Sequence, residues 1–217
     1  MTLGKFITIE GPDGSGKTSV VEQLKKKLEE RACSVFTTRE PGGSPIAEQI
    51  REVILDVDNT AMDARTEALL FAAQRRQHLV EKIVPNLQAG KMVISDRFIH
   101  SSLAYQGIAR NIPVSEIWQI NQFAIQDYRP DLTLLIDVPA EIGLQRIYVA
   151  RGQRQFDRLD REDLDFHNKV RQAFLDFAQK DDTIKVVDGR MSIEEVAQEC
   201  LNVMQGLELV KEEEGIR

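Results

Sequence analysis

Residues 6–18 read FITIEGPDGSGKT, an apolar run that passes into a glycine-rich stretch and then into a segment of helical periodicity. The pattern predicts a buried strand, a tight loop and the start of a helix. Gly11, then four residues, then Gly16, Lys17 and Thr18 fit the Walker A spacing of phosphate-binding loops. Glycines let successive backbone N–H groups point into one concavity at a helix N-terminus, which favours an anion. We therefore predict a nucleotide site in which Lys17 contacts the β and γ phosphates and Thr18 offers its hydroxyl to Mg²⁺.

The composition is that of an ordinary globular enzyme. At 217 residues, 42% of them hydrophobic, the chain is long enough for one sizeable α/β core and short for two. Its net charge of −7 argues against a general nucleic-acid binder, which usually carries a broad basic face. No apolar run approaches the ~20 residues of a membrane span, and no signal peptide is evident, so we expect a cytoplasmic protein. Cys33 and Cys200 are expected to be free thiols.

Five apolar runs alternate with helical patterns, which predicts a parallel, right-handed α/β sheet covered by helices on both faces. The predicted strands are residues 6–10, 34–38, 91–96, 132–138 and 183–187. Helical stripes are expected to bury Ile46, Ile50 and Ile54 in one helix, and Leu69, Ala72, Leu79 and Ile83 in a long helix over 64–88 that is kinked near Pro85. Ser192 and Glu195 have the spacing of a capping box.

Ligands bind at the carboxyl ends of strands in parallel sheets. Besides the phosphate loop, two groups of polar residues follow strands here. Asp96 and Arg97 come after the third strand, where a carboxylate can organise magnesium and a guanidinium can grip a phosphate. The alternatives are a helix N-cap for Asp96 and a surface cation for Arg97. Arg39 follows the second strand beside a Pro-Gly-Gly turn, and the residues fit a phosphate clamp or a structural turn equally well.

Three further stretches carry polar residues in unusual numbers. Arg75 and Arg76 interrupt an apolar helix, where an unpaired charge would be costly, so one of them is expected to face a polar pocket. Residues 101–107 (SSLAYQG) could orient a planar base or simply end a helix. Residues 151–161 hold four arginines and are either a solvated face or a mobile flap, at about 150–161, that closes over phosphates.

Together these motifs resemble the thymidylate kinase family, whose members phosphorylate dTMP with ATP. The resemblance runs from about Lys5 to about Leu207 and rests on several motifs in order. They are EGPDGSGKT (10–18), TREPGG (38–43), DRF (96–98), SSLAYQG (101–107) and RPDLT (129–133). It implies a P-loop NTPase fold of the nucleoside monophosphate kinase type, in one domain over residues 1–217.

The resemblance also implies a site. ATP and Mg²⁺ would be bound by Gly11, Pro12, Asp13, Gly14, Ser15, Gly16, Lys17, Thr18 and Ser19, with Arg146 near the adenine and Asp96 at the metal. The dTMP site would comprise Asp13 at the 3′-hydroxyl, Arg39 and Arg97 at the phosphate, Phe71 stacked on thymine, Arg75 and Ser102 at its edge, Gln106 nearby and Tyr105 against C2′. Family members are usually homodimers, and the apolar helix with Ile117, Trp118, Ile120 and Phe123 could be core or interface.

Some family members carry a catalytic arginine in the phosphate loop, whereas this loop has none. The chain is therefore similar to the bacterial type, in which the lid supplies the charge, here through Arg151, Arg154 and Arg158. The alternatives are another P-loop deoxynucleoside or nucleoside monophosphate kinase, a GTP-driven switch and a non-catalytic scaffold. No Asn-Lys-x-Asp motif for guanine is present, and a scaffold would have no need of Lys17, Thr18 and Asp96.

Overall fold

The computed structural model describes residues 3–150, 158–159 and 162–210. Five strands of these residues form one parallel sheet in the order β2-β3-β1-β4-β5. The strands are β1 (Phe6–Glu10), β2 (Val35–Arg39), β3 (Met92–Asp96), β4 (Leu132–Asp137) and β5 (Ile184–Asp188). The five predicted strands are thus confirmed, and no strand end differs from its predicted position by more than one residue.

Helices connect the strands. They are α1 (Lys17–Glu30), α2 (Pro45–Leu55), α3 (Ala64–His78), α4 (Val84–Gln88), α5 (Ile99–Ser102), α6 (Val114–Ile125), α7 (Ala140–Val149), α8 (Leu164–Ala178) and α9 (Ile193–Gly206). Two π-helical segments, Leu79–Ile83 and Leu103–Ala109, continue α3 and α5. The second of these contains most of the SSLAYQG motif and faces the site described below.

The alternation of side chains along β1 shows why both faces of the sheet are covered. Ile7 packs in a core built with α1 and α9, whereas its neighbour Phe6 packs in a second core built with α3, α5 and α6. Ser192 accepts a hydrogen bond from Glu195 N and completes the predicted capping box of α9. Both faces of β1, the strand that leads into the phosphate loop, are therefore covered.

The helical stripes were predicted less well than the strands. Leu69 is 58% exposed and Ile46 is 48% exposed, so the prediction that they face inward was wrong. Ala72, Leu79 and Ile83 are buried, as predicted. The long helix changes character at the π-helical segment Leu79–Ile83, and Pro85 follows directly in the first turn of α4.

Cys33 and Cys200 are free cysteines, as predicted. Burial raises the pKa of the Cys200 thiol to about 12. None of the helices within 3–150 and 162–210 is long and apolar enough to cross a membrane.

Candidate active site

The carboxyl ends of three adjacent strands bring the predicted residues to one edge of the sheet. Ile9 lies opposite Asp96 in the register of β1 and β3, and Asp96 lies opposite Arg39 in the register of β3 and β2. The phosphate loop leaves β1 at the same level and enters α1 at Lys17. Parallel pairing thus gathers residues that are far apart in sequence, as expected for a ligand site of this fold class.

The phosphate loop depends on its glycines. Gly14 and Gly16 have φ values of +73° and +87°, a region that side chains rarely adopt. A Cβ on Gly14 would also lie 2.1 Å from the carbonyl oxygen of Gly143 on α7. The loop therefore keeps its shape only with glycine at these positions, and that shape supports the anion-binding concavity predicted from the sequence.

Lys17 is buried inside the loop. Its Nζ donates to the carbonyl oxygens of Gly11 at 3.1 Å and Pro12 at 2.7 Å, and to Ser15 Oγ at 3.3 Å. Burial, with a further contribution from the nearby Arg97 charge, lowers the pKa of Lys17 to about 8. The surroundings therefore destabilise the charged form of Lys17, and an anion placed beside it would stabilise that form.

Thr18 and Asp96 place a hydroxyl beside a carboxylate. Thr18 Oγ1 donates to Asp96 Oδ2 at 2.6 Å across the α1–β3 junction. Mg²⁺ prefers such oxygen donors, and it usually takes one or two from the protein and the rest from water and substrate phosphates. No group of three or more His, Cys, Asp or Glu side chains among the described residues could hold a metal ion. The donor set therefore fits a magnesium ion that is shared with a nucleotide.

Arg97 and Asp13 form the centre of a polar cluster. Arg97 donates to Gly11 O at 3.1 Å and to Ser101 Oγ at 3.0 Å, and it forms an ion pair with Asp13. Tyr105 OH donates to Asp13 Oδ2 at 2.7 Å. Burial raises the pKa of Asp13, but the charges of Arg97 and Lys17 outweigh it and hold that pKa below its ordinary value of 3.8. The carboxylate is therefore ionised and accepts hydrogen bonds only.

Arg39 differs from Arg97 in its freedom to move. Its guanidinium is half exposed and lies 2.9 Å from Glu48 Oε1, a carboxylate on the neighbouring helix α2. Exposed pairs of this kind are weak, typically ~0.2 to 1 kcal/mol, so an anionic ligand could compete for the guanidinium. The sequence left a clamp and a structural turn equally possible, and this position at the rim of the site favours the clamp.

One cavity of about 650 Å³ connects these groups with the predicted base-binding residues. The predicted residues that line it are Asp13, Gly14, Gly16, Lys17, Thr18, Ser19, Arg39, Phe71, Arg75, Asp96, Arg97, Ser102, Tyr105, Gln106 and Arg146. We call the part near Lys17, Thr18, Asp96 and Arg97 the phosphate end, and the part near Phe71, Arg75 and Gln106 the base end. The volume lies in the range of small-ligand sites.

Arg75 organises the base end, and it is only 1% exposed. Its Nε donates to Glu40 Oε2 at 2.7 Å, its Nη1 to Ser102 Oγ at 2.9 Å and its Nη2 to the carbonyl oxygen of Phe98 at 2.9 Å. Asn121 Oδ1 accepts a further bond from Nη1. Buried charges need this kind of compensation, and it fixes the guanidinium against the cavity.

Comparisons with known proteins agree with this geometry. The family model described as Thymidylate kinase matches residues 9–200. A thymidylate kinase of Latilactobacillus sakei is 55% identical over 204 residues, which cover 93% of this chain and 95% of that protein. The chain belongs to the thymidylate kinase family.

Further thymidylate kinases match over similar lengths. That of Clostridium novyi is 52% identical over 200 residues, covering 92% of this chain and 97% of that one. The crystal structure of thymidylate kinase from Ehrlichia chaffeensis superposes with a TM-score of 0.77 at 35% identity, over 93% of this chain and 99% of that chain. The predicted fold, a P-loop kinase fold with a five-stranded parallel sheet, is confirmed.

Four of the residues predicted from the resemblance to thymidylate kinases make contacts within the protein. The cavity lining does not include Gly11, Pro12 or Ser15. Their oxygen atoms instead accept hydrogen bonds from Lys17 Nζ. Arg146 lines the cavity and donates to the carbonyl oxygen of Gly189 at 3.1 Å, so its guanidinium is held by a loop after β5. The predicted role of Arg146 at the adenine stays a prediction.

The lid arginines fall partly outside the described residues. Arg151 and Arg154 lie outside them, whereas Arg158 is described and buried. Its Nε donates to Ile54 O at 3.2 Å and its Nη2 to Glu67 Oε2 at 2.6 Å. The next residue, Leu159, lines the cavity. Arg158 is therefore bonded behind the cavity wall in this conformation, and its predicted catalytic role stays a prediction.

The sequence reasoning missed the buried carboxylates that support this thymidylate kinase site. Glu10 accepts from Phe98 N and Ser101 N at the end of β1, and Glu40 and Glu67 support Arg75 and Gln106. A signal was available, since an arginine inside an apolar helix requires a buried acid. Which acid it would be depends on contacts between distant segments.

Proposed function

We propose that the chain transfers the γ-phosphoryl group of ATP to a phosphate oxygen of dTMP, giving ADP and dTDP. The observation that carries the proposal is the single cavity that joins a phosphate loop to a base end and has two arginines, Arg39 and Arg97, along its wall. A kinase that acts on a hydroxyl would have little use for two such arginines. Thymidylate kinases are phosphotransferases, and this arrangement supports the same chemistry here.

At the phosphate end, we assign Lys17 and the loop amides to the ATP phosphates. Thr18 and Asp96 would hold Mg²⁺, which neutralises charge on the phosphate oxygens when it is bound. Arg97 and Arg39 would hold the acceptor phosphate, Arg97 from a fixed position and Arg39 by leaving Glu48. Arg146 would lie against the adenine. These roles rest on positions in the cavity and on the chemistry of the side chains.

The transfer we propose is in line and has no covalent enzyme intermediate. The acceptor phosphate is already ionised near neutral pH, so the reaction needs no strong general base. Catalysis then consists of positioning two anions against each other and of stabilising the charge that moves between them. The buried cations Lys17 and Arg97 are suited to this task because they lie in a poorly solvated site.

At the base end, we assign Phe71 to stacking on thymine and Arg75 and Ser102 to its polar edge. Asp13 would accept a hydrogen bond from the 3′-hydroxyl of the sugar. Tyr105 OH donates to Asp13, which supports a position of the phenol ring next to that part of the sugar. Such a ring would leave little space for a 2′-hydroxyl and would disfavour ribonucleotides.

We also propose that a lid at about 150–161 supplies positive charge through Arg151, Arg154 and Arg158. The support is that α7, which precedes this segment, and Leu159, which lies within it, contribute cavity residues. Single and triple arginine-to-alanine variants test it, with kcat for dTMP as the readout. We expect the triple variant to lose most of its turnover, and full turnover in all four variants would show that the charge comes from elsewhere.

We further propose a cytoplasmic homodimer that associates through α3 and α6. These helices pack together, and each exposes a large apolar side chain: Phe123 is 87% exposed and Leu69 is 58% exposed. Sedimentation should give twice the monomer mass for the natural chain and the monomer mass for Phe123→Ser. Val186→Ser, an exposed apolar residue on β5, should remain dimeric. A monomeric natural chain would contradict the proposal.

The proposed reaction is tested by measuring ADP production from Mg-ATP with dTMP, dUMP, the ribose form of TMP, dCMP and thymidine offered separately. We expect dTMP to be the best acceptor. Since dUMP lacks one methyl group, worth ~1 to 3 kcal/mol in an apolar pocket, it should be a poorer acceptor that still reacts. Activity with thymidine and none with dTMP would instead identify a deoxynucleoside kinase.

A further inference from the structure

A buried carboxylate lies directly behind the base end. Glu67, in the first turn of α3, is 1% exposed and does not belong to the cavity lining. Its Oε1 accepts a hydrogen bond from Gln106 Nε2 at 2.8 Å, and its Oε2 accepts one from Arg158 Nη2 at 2.6 Å. Arg110 Nη2 lies 3.3 Å from the same Oε2. Nothing in the proposed function uses Glu67, although a buried acid with this many partners is costly to maintain.

The protonation state of Glu67 decides what it can do. Burial raises the pKa of a carboxyl group, but here the hydrogen bond from Gln106 and the charges of Arg110 and Arg158 outweigh it and lower the pKa of Glu67. Glu67 is therefore a carboxylate near neutral pH, and a carboxylate accepts hydrogen bonds but donates none. Only the NH₂ side of the Gln106 amide can face it.

This constraint sets which way the amide of Gln106 points. A side-chain amide carries a donor and an acceptor on opposite sides of one planar group, and in isolation either orientation is possible. With its NH₂ group held by Glu67, Gln106 turns its carbonyl oxygen away from α3. Gln106 lines the cavity together with Arg75 and Phe71. An oxygen on the cavity side of this amide would face the space that the proposed function gives to the base.

An acceptor beside a fixed arginine distinguishes two kinds of pyrimidine. Thymine and uracil carry a hydrogen on ring nitrogen N3 and an oxygen at C4, which is a donor next to an acceptor. Cytosine has the reverse order, with a bare N3 and an amino group at C4. Arg75 can only donate and Gln106 Oε1 can only accept, so the pair matches thymine and opposes cytosine. A site with a mismatched buried polar group rejects the wrong ligand strongly.

We propose that Glu67 is a positioning residue for base selection: it fixes the amide of Gln106 so that the cavity accepts pyrimidines with an N3 hydrogen and rejects cytosine. The inference rests on the proposed function, in which the base end holds the base of the acceptor nucleotide. It adds a residue outside the cavity and a reason for its buried charge. Glu67 does not line the cavity. It acts on base selection through Gln106, whereas its bond to Arg158 belongs to the lid segment.

The test compares kcat/KM for dTMP and for dCMP in the natural chain, in E67Q and in R110Q. A glutamine at position 67 can both donate and accept, so Gln106 gains both orientations. We expect the ratio of kcat/KM for dTMP to that for dCMP to fall about tenfold or more in E67Q. R110Q removes one cation from the same carboxylate and leaves the bond to Gln106 in place, so its ratio should stay within about twofold of the natural one.

A merely structural role for Glu67 would give a different result. Loss of packing around the base end would lower kcat/KM for both substrates and leave their ratio unchanged. The variant Q106L provides a further check, since it has no amide to orient. Adding E67Q to Q106L should therefore not change the ratio again. A further fall in that double variant would show that Glu67 acts by another route and would overturn the proposal.

E67Q leaves two cations near an uncharged residue, which can prevent folding. The double variant E67Q/R110Q removes the carboxylate together with one cation and is then compared with R110Q alone. An unchanged ratio in whichever of the two folds, as judged by thermal unfolding, overturns the positioning role. A natural chain that does not phosphorylate dTMP would instead overturn the proposed function, so the two failures can be told apart.

Discussion

The two ends of the cavity are built in different ways. The phosphate end comes from a contiguous loop, Gly11–Thr18, and from residues that end adjacent strands, such as Asp96. The base end is assembled from distant segments: Arg75 on α3 bonds Glu40 after β2, Ser102 on α5 and Asn121 on α6. One end is therefore encoded locally, whereas the other exists only when the helices have packed.

The electrostatics of the two ends differ in the same way. Lys17 is a buried cation whose bonds go to uncharged carbonyl and hydroxyl oxygens, and its pKa is lowered. Arg75 is a buried cation with a carboxylate partner, Glu40, at 2.7 Å. Removing Lys17 should therefore affect turnover far more than stability, whereas breaking the Arg75 pair should affect stability first.

The largest effect is expected for Lys17→Ala. The variant removes a charge that we assign to the ATP phosphates, and loss of one such group costs about 100- to 1,000-fold in kcat. Its midpoint of thermal unfolding should stay near that of the natural chain, because burial of the ammonium group is itself unfavourable. Lys25→Ala, an exposed position on the same helix, is the matched control. Turnover of Lys17→Ala close to that of the control would contradict the assignment.

The next effect is expected for Glu40→Gln, at the base end. It leaves the Arg75 guanidinium buried without a negative partner, and denaturant titration should show a loss of about 3 kcal/mol in the free energy of unfolding. The KM for dTMP should rise as well, because Arg75 loses its anchor. Glu29→Gln, which breaks an exposed pair with Lys25, should cost less than about 0.5 kcal/mol. Equal losses in the two variants would mean that the base end is not held by its buried pair.

The smallest effect is a pH dependence at the phosphate end. The pKa of Lys17 is about 8, so the ammonium form, which attracts phosphate, is progressively lost above that pH. We expect the affinity for ATP to fall by up to about tenfold per pH unit above pH 8, the limit for loss of one proton. The same group is destabilising when charged, so its contribution to the free energy of unfolding should become less unfavourable between about pH 8 and its ordinary pKa of 10.5.

Titration calorimetry at several pH values measures this dependence. The variant Lys17→Arg, which stays charged throughout, serves as the control because arginine does not titrate in this range. Its ATP affinity should change little between pH 7 and about pH 9. An affinity that falls equally in both proteins would assign the titration to a different group.

The difference between the ends also explains what could be predicted from the sequence. The five strands follow from short-range patterns and are confirmed. The same patterns predict a phosphate loop after β1 and a carboxylate, Asp96, at the end of β3, where the structure has it. One of Arg75 and Arg76 was expected to face a polar pocket. The partner of Arg75, Glu40, could not be predicted, because nothing in the spacing of residues 40 and 75 shows that they meet. Leu69 was assigned to the core by periodicity alone, whereas the structure leaves it exposed on α3.

The lid and the buried carboxylates Glu40 and Glu67 were the hardest parts of the site to predict from the sequence. Residues 151–161 show no apolar periodicity, so the sequence does not indicate which way their arginine side chains point. Arg158 bonds Glu67 and Ile54, which lie 91 and 104 residues away in the sequence. Such contacts depend on the packing of α2 and α3, which follows from the whole fold.

The residues of this cavity, as we propose, transfer a phosphoryl group from ATP to dTMP. Phosphorus NMR of a mixture of Mg-ATP, dTMP and the protein tests it directly, because ADP, dTDP and inorganic phosphate give separate signals. We predict that dTDP and ADP appear in equal amounts and that inorganic phosphate stays at its starting level. Growth of inorganic phosphate with dTMP unchanged would contradict the claim and would identify the chain as an ATPase.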